Sequence, residues 1–167
     1  TTDSPVENTL RTGPPSAVKN LGGGVNKTYK GVIGGMKAII KPISGLASQR
    51  MREHIRAGAD TEHELAAQII NDAMGRPVDM PVVAHRDFGD LEGPDGPIGD
   101  AFVSEFKPGE NLGNTGGKWD TNDEDTANIG LLDSIIGNQD RHGHNALVVN
   151  DDHIIAIDHG LAFPEEN

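Results

Sequence analysis

The chain of 167 residues has room for one domain, or for two small lobes around a cleft, and is long enough to bury a hydrophobic core. Its hydrophobic residues, 35% of the total, form no apolar run near the length of a membrane span, and no signal peptide is visible. We therefore expect a soluble, cytoplasmic protein without a membrane partner. The net charge of −12 would repel nucleic-acid phosphates and anionic lipid surfaces, so neither is expected as a partner. The absence of cysteine excludes disulfides and thiolate sites.

The N-terminal quarter predicts a flexible segment followed by a β-hairpin. Residues 1–15 carry three prolines and no hydrophobic periodicity, so we expect a flexible lead-in before a domain of residues 16–167. In the stretch LGGGVNKTYKGVIGGMKAIIKP, the pair Gly34 and Gly35 suits the positive φ angles of a tight turn. This turn would join two strands, the second of which ends at Lys41.

The middle of the chain predicts one helix and two short strands. Thr61 and Glu64 have the spacing of a capping box at a helix N-terminus. Apolar residues then recur on one face of the expected helix, at Leu65, Ile69 and Ala73. The segments PVVAH and AFVSEF predict strands on either side of a loop rich in Gly, Asp and Pro.

The last third predicts a helix and then a second hairpin. Thr121 and Glu124 have the spacing of a second capping box. The expected helix has one apolar face, formed by Ile129, Leu132 and Ile136. After it come the polar segment NQDRHGHN, a strand ALVV, the turn NDD and a strand HIIAI.

Three polar residues that flank this second hairpin are candidates for catalysis and metal binding: Asp140, Asn145 and Asp158. In phosphoryl transfer an Asp orients the attacking hydroxyl and accepts its proton, while an Asn and a second Asp bind the Mg²⁺ ions that bridge the ATP phosphates. The separation of five residues between Asp140 and Asn145 matches the Asp and Asn of the kinase catalytic loop H-R-D-x-x-x-x-N. The alternative is that Asp140 and Asn145 are turn residues and Asp158 caps a strand end.

The segments GNQDRHGHNALV and IAIDHGLAF resemble the phosphatidylinositol 3/4-kinase-like and HipA-like branch of the protein-kinase superfamily, in which the order is Asp-Arg-His. GGGVNKTYKG is similar to the branch's phosphate-covering loop, IIKP to its ATP-contacting lysine segment, and EHELAAQIINDAMG to its αC helix. The resemblance covers about residues 18–163 and implies an α+β, minimal protein-kinase-like fold. An N-lobe of about residues 16–106 would hold a small antiparallel sheet and αC. A reduced helical C-lobe of about residues 107–167 would carry the catalytic hairpin, since only seven residues follow Gly160.

The resemblance also implies a role for individual residues. Asp140 would be the catalytic aspartate, and Lys41 would contact the α- and β-phosphates with Glu64 as its partner. Asn145 and Asp158 would bind Mg²⁺ or Mn²⁺. Backbone groups of five further residues would contact ATP: Gly22, Gly23 and Gly24 at the phosphates, and Glu105 and Phe106 at the adenine. Local structure offers other reasons for two of these residues, because Glu64 completes a capping box and Lys41 can be an ordinary exposed strand-end lysine.

Other conspicuous residues have weaker functional interpretations. Arg141 and Asp133 can form a structural pair that braces the catalytic loop. The spacing of His142, His144, His153 and His159 matches no standard zinc ligand set. The group of Arg50, Arg52 and Arg56 is typical of a solvated helix face, with a substrate-phosphate or acidic-partner site as the alternative.

Together these features predict an ATP- and Mg²⁺-dependent phosphotransferase, an atypical kinase that acts on a hydroxyl. We expect a protein acceptor, the chain itself included, because the acidic charge and the lack of a long basic amphipathic helix disfavour lipid. Transfer of AMP to the acceptor, instead of phosphate, is an alternative reaction. The alternative is a nucleotide-binding pseudokinase or a structural domain of a larger assembly, without turnover.

Overall fold

The computed structural model describes residues 4–22, 27–43, 59–116, 123–150, 152–160 and 162–163. The helices are α1 (Pro5–Thr12), α2 (Asp60–Ala73) and α3 (Asp123–Ile136). The strands are β1 (Pro15–Asn20), β2 (Tyr29–Ile33), β3 (Met36–Pro42), β4 (Val83–Asp87), β5 (Glu92–Gly93), β6 (Gly96–Pro97), β7 (Asp100–Glu105), β8 (Glu110–Asn111), β9 (Ala146–Val149) and β10 (His153–Ala156). Short 3₁₀ turns lie at Leu112–Asn114 and Gly143–Asn145. Within these ranges no helix combines the length and the apolar character needed to cross a bilayer.

The chain divides into two compact units. Unit 1 consists of residues 1–49 and 82–106, and unit 2 of residues 50–81 and 107–167. The sequence places residues 50–81 in the N-lobe, whereas by their contacts they group with unit 2. The mixture of antiparallel strands and helices is the α+β class that the sequence predicts.

Unit 1 is built on an antiparallel sheet of five strands in the order β1-β2-β3-β7-β4. The predicted glycine turn is confirmed: Gly34 and Gly35 have φ angles of 56° and 83° and join β2 to β3. The two strands at PVVAH and AFVSEF are also present, as β4 and β7. The core of the unit is formed by Leu10, Tyr29, Ile33, Ala38, Ile40, Val82, Ala84, Ile98, Ala101 and Val103.

The prediction of a flexible lead-in is wrong for most of that segment, because residues 5–12 form helix α1. The Ser4 hydroxyl caps the helix by accepting a hydrogen bond from the backbone N–H of Glu7 (3.1 Å), and Pro5 occupies a first-turn position where no N–H is needed. Leu10 is completely buried. At the other end, the Arg86 guanidinium donates to the carbonyl oxygens of Leu10 (3.2 Å) and Gly13 (2.7 Å). Val6, one turn before Leu10, also packs against the core, so a short apolar face and the contacts at both ends hold this helix in place.

Unit 2 contains α2, α3 and a small sheet of three antiparallel strands in the order β10-β9-β8. The predicted face of α3 is confirmed, since Ile129, Leu132 and Ile136 are buried. The predicted second hairpin is confirmed as β9 and β10, which pair antiparallel from Val149 opposite His153 to Ala146 opposite Ala156. This hairpin places Asn145 just before its first strand and Asp158 just after its second.

Helix α2 is present, but two predictions about it are wrong. It begins at Asp60 with Ala59 in the cap position, so Thr61 lies within the helix and is buried instead of capping it. The expected apolar face is also wrong, because Ile69 is 54% exposed. The buried face carries polar side chains, of which Asn71 bonds both the carbonyl oxygen (2.8 Å) and the N–H (3.2 Å) of Val78. A buried polar residue with satisfied hydrogen bonds does not contribute to a hydrophobic periodicity.

The imidazole of His153 connects three segments of unit 2. Its Nδ1 lies 2.9 Å from a carboxylate oxygen of Asp125 in α3, and its Nε2 lies 2.8 Å from one of Asp79. The same oxygen of Asp125 accepts the N–H of Ile154 (2.9 Å), and Asp79 also pairs with Lys107 (3.3 Å). The hydrogen bond to Asp79 raises the pKa of His153, Asp125 adds to this, and partial burial opposes it.

We expect His153 to make the stability of the protein depend on pH. Because its folded-state pKa is raised, its contribution is complete below the unfolded value of about 6.5 and is lost as the pH rises through the folded value. Thermal melts of the wild type and of His153→Gln at about pH 5.5 and pH 9 measure this. The wild type should exceed the variant in Tm by more at the lower pH. An equal difference at both pH values would show that the imidazolium charge contributes nothing.

Candidate active site

The polar segment after α3 is shaped by hydrogen bonds from its own side chains. Gly137 ends the helix with a φ of 63°, a left-handed value that suits glycine. The Asn138 amide then donates to a carboxylate oxygen of Asp133 (3.0 Å), while its own side-chain oxygen accepts the backbone N–H of Asp140 (3.2 Å). Asn138 therefore fixes the backbone of Asp140 relative to the last turns of α3.

Arg141 holds three parts of unit 2 together. Its guanidinium forms a two-point contact with the Asp133 carboxylate in α3, through Nε (2.8 Å) and a terminal nitrogen (2.9 Å). The other terminal nitrogen donates to the backbone carbonyls of Asn145 (2.5 Å) and Ile157 (2.9 Å). The side chains of Arg141 and Asp133 are only 20% and 12% exposed. The sequence-based prediction that these two residues brace the loop is confirmed.

Asp133 is ionised in this arrangement. Burial raises the pKa of its carboxyl, but the hydrogen bonds from Arg141 and Asn138 and the charge of Arg141 outweigh burial, so the pKa lies below its ordinary value. The planar guanidinium with its fixed fork of donors suits a carboxylate and two carbonyls at once, which a lysine ammonium does not.

Asn145 and Asp140 are in direct contact. The Asn145 amide nitrogen donates to the backbone carbonyl of Asp140 (2.6 Å) and lies 3.4 Å from the Asp140 carboxylate. Asn145 is 5% exposed, and its carbonyl also accepts the N–H of Ile157 (3.0 Å). Because the side-chain nitrogen faces Asp140, the side-chain oxygen Oδ1 is the atom of Asn145 suited to bind a cation.

Asp158 follows β10 in a strained backbone conformation. Its φ is 57°, which is uncommon for a residue other than glycine and more tolerable for Asp and Asn. The residue is exposed, whereas His159 and Gly160 after it are buried. The neighbouring Ile157 is fixed by Arg141 and Asn145, so one network sets the position of both Asn145 and the backbone before Asp158. Strain of this kind often marks functional sites.

Helix α2 contacts the segment that follows Asp158. Nδ1 of His63 lies 3.2 Å from the carbonyl oxygen of Gly160, and its ring lies edge-on to Phe163 with 5.9 Å between centroids. Glu64 is the next residue of α2, in unit 2 and partly buried. Lys41 belongs to unit 1, so the predicted Lys41–Glu64 pair stays a prediction.

In unit 1, Lys41 lies near the end of β3, opposite Phe102 of β7. Ala38 and Ile40 of the same strand point into the core, so Lys41 lies on the other face of the sheet, partly buried. Gly22 has a φ of 71° and follows β1. Gly23 and Gly24 lie outside the described residues, as do Arg50, Arg52, Arg56 and Thr121.

The predicted adenine contacts, Glu105 and Phe106, have their backbone N–H groups engaged within unit 1. Glu105 donates to the carbonyl of Val82 and Phe106 to that of Lys37, each at 3.0 Å. The Glu105 carboxylate accepts the N–H of Val82 (3.0 Å), and Lys30 lies 4.4 Å from the centre of the Phe106 ring. An adenine contact at these two residues would therefore have to use their carbonyl groups.

A comparison with known protein families assigns the chain to one of them. The model of the phosphatidylinositol 3- and 4-kinase family matches residues 47–167, which include α2 and all of Asp140, Asn145 and Asp158. The chain belongs to the phosphatidylinositol 3- and 4-kinase family. Among curated protein sequences, none matches this one.

Solved kinase structures share the fold. The Helicobacter pylori proinflammatory kinase CtkA superposes with a TM-score of 0.58 at 13% identity, covering 95% of this chain and 62% of the other. The Golgi casein kinase superposes with a TM-score of 0.54 at 18% identity, covering 94% and 56%. Its complex with Mn/ADP gives 0.54 at 19% identity, covering 94% and 56%. The kinase-like fold predicted from the sequence is confirmed, and the chain spans about three fifths of the length of these structures.

The polar atoms of this kinase-family site fit a divalent cation that is also bound by phosphate. Mg²⁺ in phosphoryl-transfer sites takes one or two carboxylates, and its other ligands are waters and the phosphates of the substrate. Oxygen donors of this kind are offered by Asn145 and Asp158. Within the described ranges, no cluster of three or more His, Asp or Glu side chains forms a complete metal cage.

One residue of the site, Asn138, was missed in the sequence, although it precedes Asp140 by two positions and an Asx-type turn has that spacing. His159 was considered in the sequence only as a zinc ligand, and its burial was not predicted. It is completely buried, and neither of its ring nitrogens has a hydrogen-bond partner among the described residues. Burial lowers the pKa of His159 to about 4, aided by the charge of Arg141, so the imidazole is neutral at pH 7.

We expect Arg141→Lys to lower the free energy of unfolding by about 2–4 kcal/mol, because a lysine cannot replace the two-point carboxylate contact and both carbonyl contacts. Urea titration measures the change. Arg76→Lys is a matched control, since Arg76 forms an exposed pair with Asp72 (42% and 46% exposed) and its replacement should cost less than about 0.5 kcal/mol. Equal losses in the two variants would contradict a bracing role for Arg141.

Proposed function

We propose that this protein is an ATP-dependent phosphotransferase that acts on the hydroxyl group of a protein, its own chain included. The observation that carries the proposal is the contact between Asn145 and Asp140, on a loop that Arg141 ties to the residue before Asp158. One network within unit 2 thus contacts the backbone at, or next to, each of the three residues predicted from the sequence. Membership of the phosphatidylinositol 3- and 4-kinase family and the kinase-like fold support the same reaction class.

In the proposed reaction Asp140 acts on the acceptor. Its carboxylate orients the hydroxyl and accepts its proton as the oxygen bonds to the γ-phosphorus of ATP, while the bond from that phosphorus to the β-phosphate oxygen breaks and ADP leaves. The Asn145 amide, which lies next to this carboxylate, keeps it in one orientation. The guanidinium of Arg141 is engaged by Asp133 and by two backbone carbonyls. Arg141 therefore positions the loop and takes no part in proton transfer.

Asn145, through Oδ1, and the Asp158 carboxylate would hold Mg²⁺ or Mn²⁺. When bound, the ion neutralises the negative charge that the phosphates and the two aspartates would otherwise bring together. The Golgi casein kinase has been solved with Mn/ADP bound, which supports the use of a nucleotide with a divalent ion here.

The nucleotide-binding residues are those predicted from the resemblance. We propose that Lys41 contacts the α- and β-phosphates with Glu64 as its partner, that Gly22, Gly23 and Gly24 allow the backbone to approach the phosphates, and that Glu105 and Phe106 face the adenine. The position of Lys41 on the face of β3 away from the core supports its part. The finer assignment to the HipA-like branch rests on the Asp-Arg-His order and on the N-terminal motifs that resemble this branch.

A protein acceptor is favoured over a lipid by the net charge of −12, which opposes binding to an anionic membrane surface. One structural neighbour is named for casein, a protein substrate. The family name points to phosphatidylinositol instead, so vesicles that contain this lipid are the competing acceptor in any assay.

Two substitutions separate the proposed roles. Asp140→Asn should retain Mg·ATP binding and reduce transfer by roughly 10²- to 10⁴-fold, because it removes the proton acceptor but little of the volume. Asp158→Asn removes a metal ligand and should weaken Mg·ATP binding as well as transfer. Calorimetry gives the affinity, and transfer of labelled phosphate to the protein itself, to casein or to phosphatidylinositol vesicles gives the rate.

Asp152→Asn is the matched control, because Asp152 lies exposed in the β9–β10 turn of the same unit and undergoes the same change of charge. Each variant must first unfold cooperatively. Transfer by Asp140→Asn near the wild-type rate would rule out the proposed mechanism. A wild type that binds Mg·ATP without any transfer would favour the nucleotide-binding scaffold.

A further inference from the structure

A small hairpin in unit 1 lies against the first residue of β2. Strands β5 and β6 pair Glu92 with Pro97 and Gly93 with Gly96, which leaves Asp95 at the tip. A Cβ atom added at Gly93 would come within 2.9 Å of the Ile98 side chain and 3.4 Å of the Tyr29 ring. The tip is therefore held close to Tyr29, whose ring is 3% exposed.

The carboxylate of Asp95 contacts two strands at once. Its Oδ2 accepts hydrogen bonds from the Tyr29 hydroxyl (3.2 Å) and from the Asn20 side-chain amide (3.4 Å). Asn20 is the last residue of β1, Tyr29 is the first residue of β2, and the two are paired across the strands. One oxygen atom therefore contacts the last residue of β1 and the first residue of β2.

A backbone hydrogen bond also joins the chain just after β1 to the chain just before β2. The N–H of Leu21 donates to the carbonyl of Thr28 (2.9 Å), directly beyond the Asn20–Tyr29 pair. Gly22, with its left-handed backbone, follows immediately. The β1 strand contains an irregularity between Ser16 and Lys19, so strand pairing alone restrains its end less than a regular ladder would.

Tyr29 is a dependable donor in this contact. Burial raises the pKa of its phenol, and the hydrogen bond and negative charge of Asp95 raise it further, so the hydroxyl is protonated and can donate at neutral pH. The Tyr29 ring is fixed by the core of unit 1, which makes it the rigid end of the contact.

We propose that Asp95 is a positioning residue for the nucleotide: it holds the end of β1 and the start of β2 together and so fixes the backbone of Gly22 for contact with the ATP phosphates. This rests on the proposed function, which assigns Gly22 to the phosphates. Asp95 acts only through Asn20 and Tyr29 and does not itself touch ATP.

A positioning role for the nucleotide should change the KM for Mg·ATP, whereas a purely structural role should change only the stability of the fold. Asp95→Ala should raise the KM for Mg·ATP by roughly three- to tenfold with kcat nearly unchanged, the size expected when its two long hydrogen bonds are lost. Tyr29→Phe removes one of these bonds and should act in the same direction by less, and the double variant should be no worse than Asp95→Ala. Asp95→Asn should behave like the wild type, because its amide oxygen still accepts both hydrogen bonds.

Asp90→Ala is the matched control, since Asp90 is exposed in the same β4–β7 connection and loses the same charge. Amide hydrogen exchange of Leu21 provides a readout that does not require activity: exchange should be faster in Asp95→Ala than in Asp90→Ala. The wild type could show neither ATP binding nor transfer while exchange at Leu21 responds as expected. In that case the proposed function fails, and only the role of Asp95 in holding the end of β1 to the start of β2 stands. If the wild type is active and Asp95→Ala changes neither KM nor exchange at Leu21, the positioning role of Asp95 is refuted.

Discussion

The site depends on the contact of one guanidinium with one partly buried carboxylate and two carbonyls. Arg141 joins α3, through Asp133, to the backbone at Asn145 and at Ile157, which lie on opposite sides of the β9–β10 hairpin. Removing Arg141 would leave the partly buried carboxylate of Asp133 without its charged partner, a costly state in a partly desolvated environment. The polar groups proposed for catalysis and metal binding, Asp140, Asn145 and Asp158, each lie within one residue of an atom held by this network.

Local patterns in the sequence were sufficient for much of the fold. The Gly34-Gly35 turn follows from the backbone freedom of glycine, and the buried face of α3 follows from the spacing of its isoleucines and leucine. The bracing pair Arg141 and Asp133 was also predictable, because two opposite charges eight positions apart lie on either side of the turn that follows α3. In each case the physical cause acts between residues close in sequence.

Features that depend on distant residues were not predictable. Helix α1 is stabilised by Arg86, which lies 73 positions from Gly13 whose carbonyl it contacts. The face of α2 was misassigned because Asn71 is buried by hydrogen bonds and not by hydrophobicity. The burial of His159 and the contact between Asp95 and Tyr29 likewise depend on tertiary packing. The residues of unit 1 and unit 2 assigned to the nucleotide stay a prediction of the family resemblance.

A crystal structure of the protein with Mn²⁺ and a non-hydrolysable ATP analogue tests the central claim most directly, because the anomalous signal of manganese locates the ion without reference to any assumed site. We predict manganese bound by Oδ1 of Asn145 and by the Asp158 carboxylate, with the analogue's phosphates as further ligands and the Arg141 contacts unchanged. Manganese bound to other side chains, or an analogue bound away from Asp140, would contradict the assignment of this loop as the phosphotransferase site.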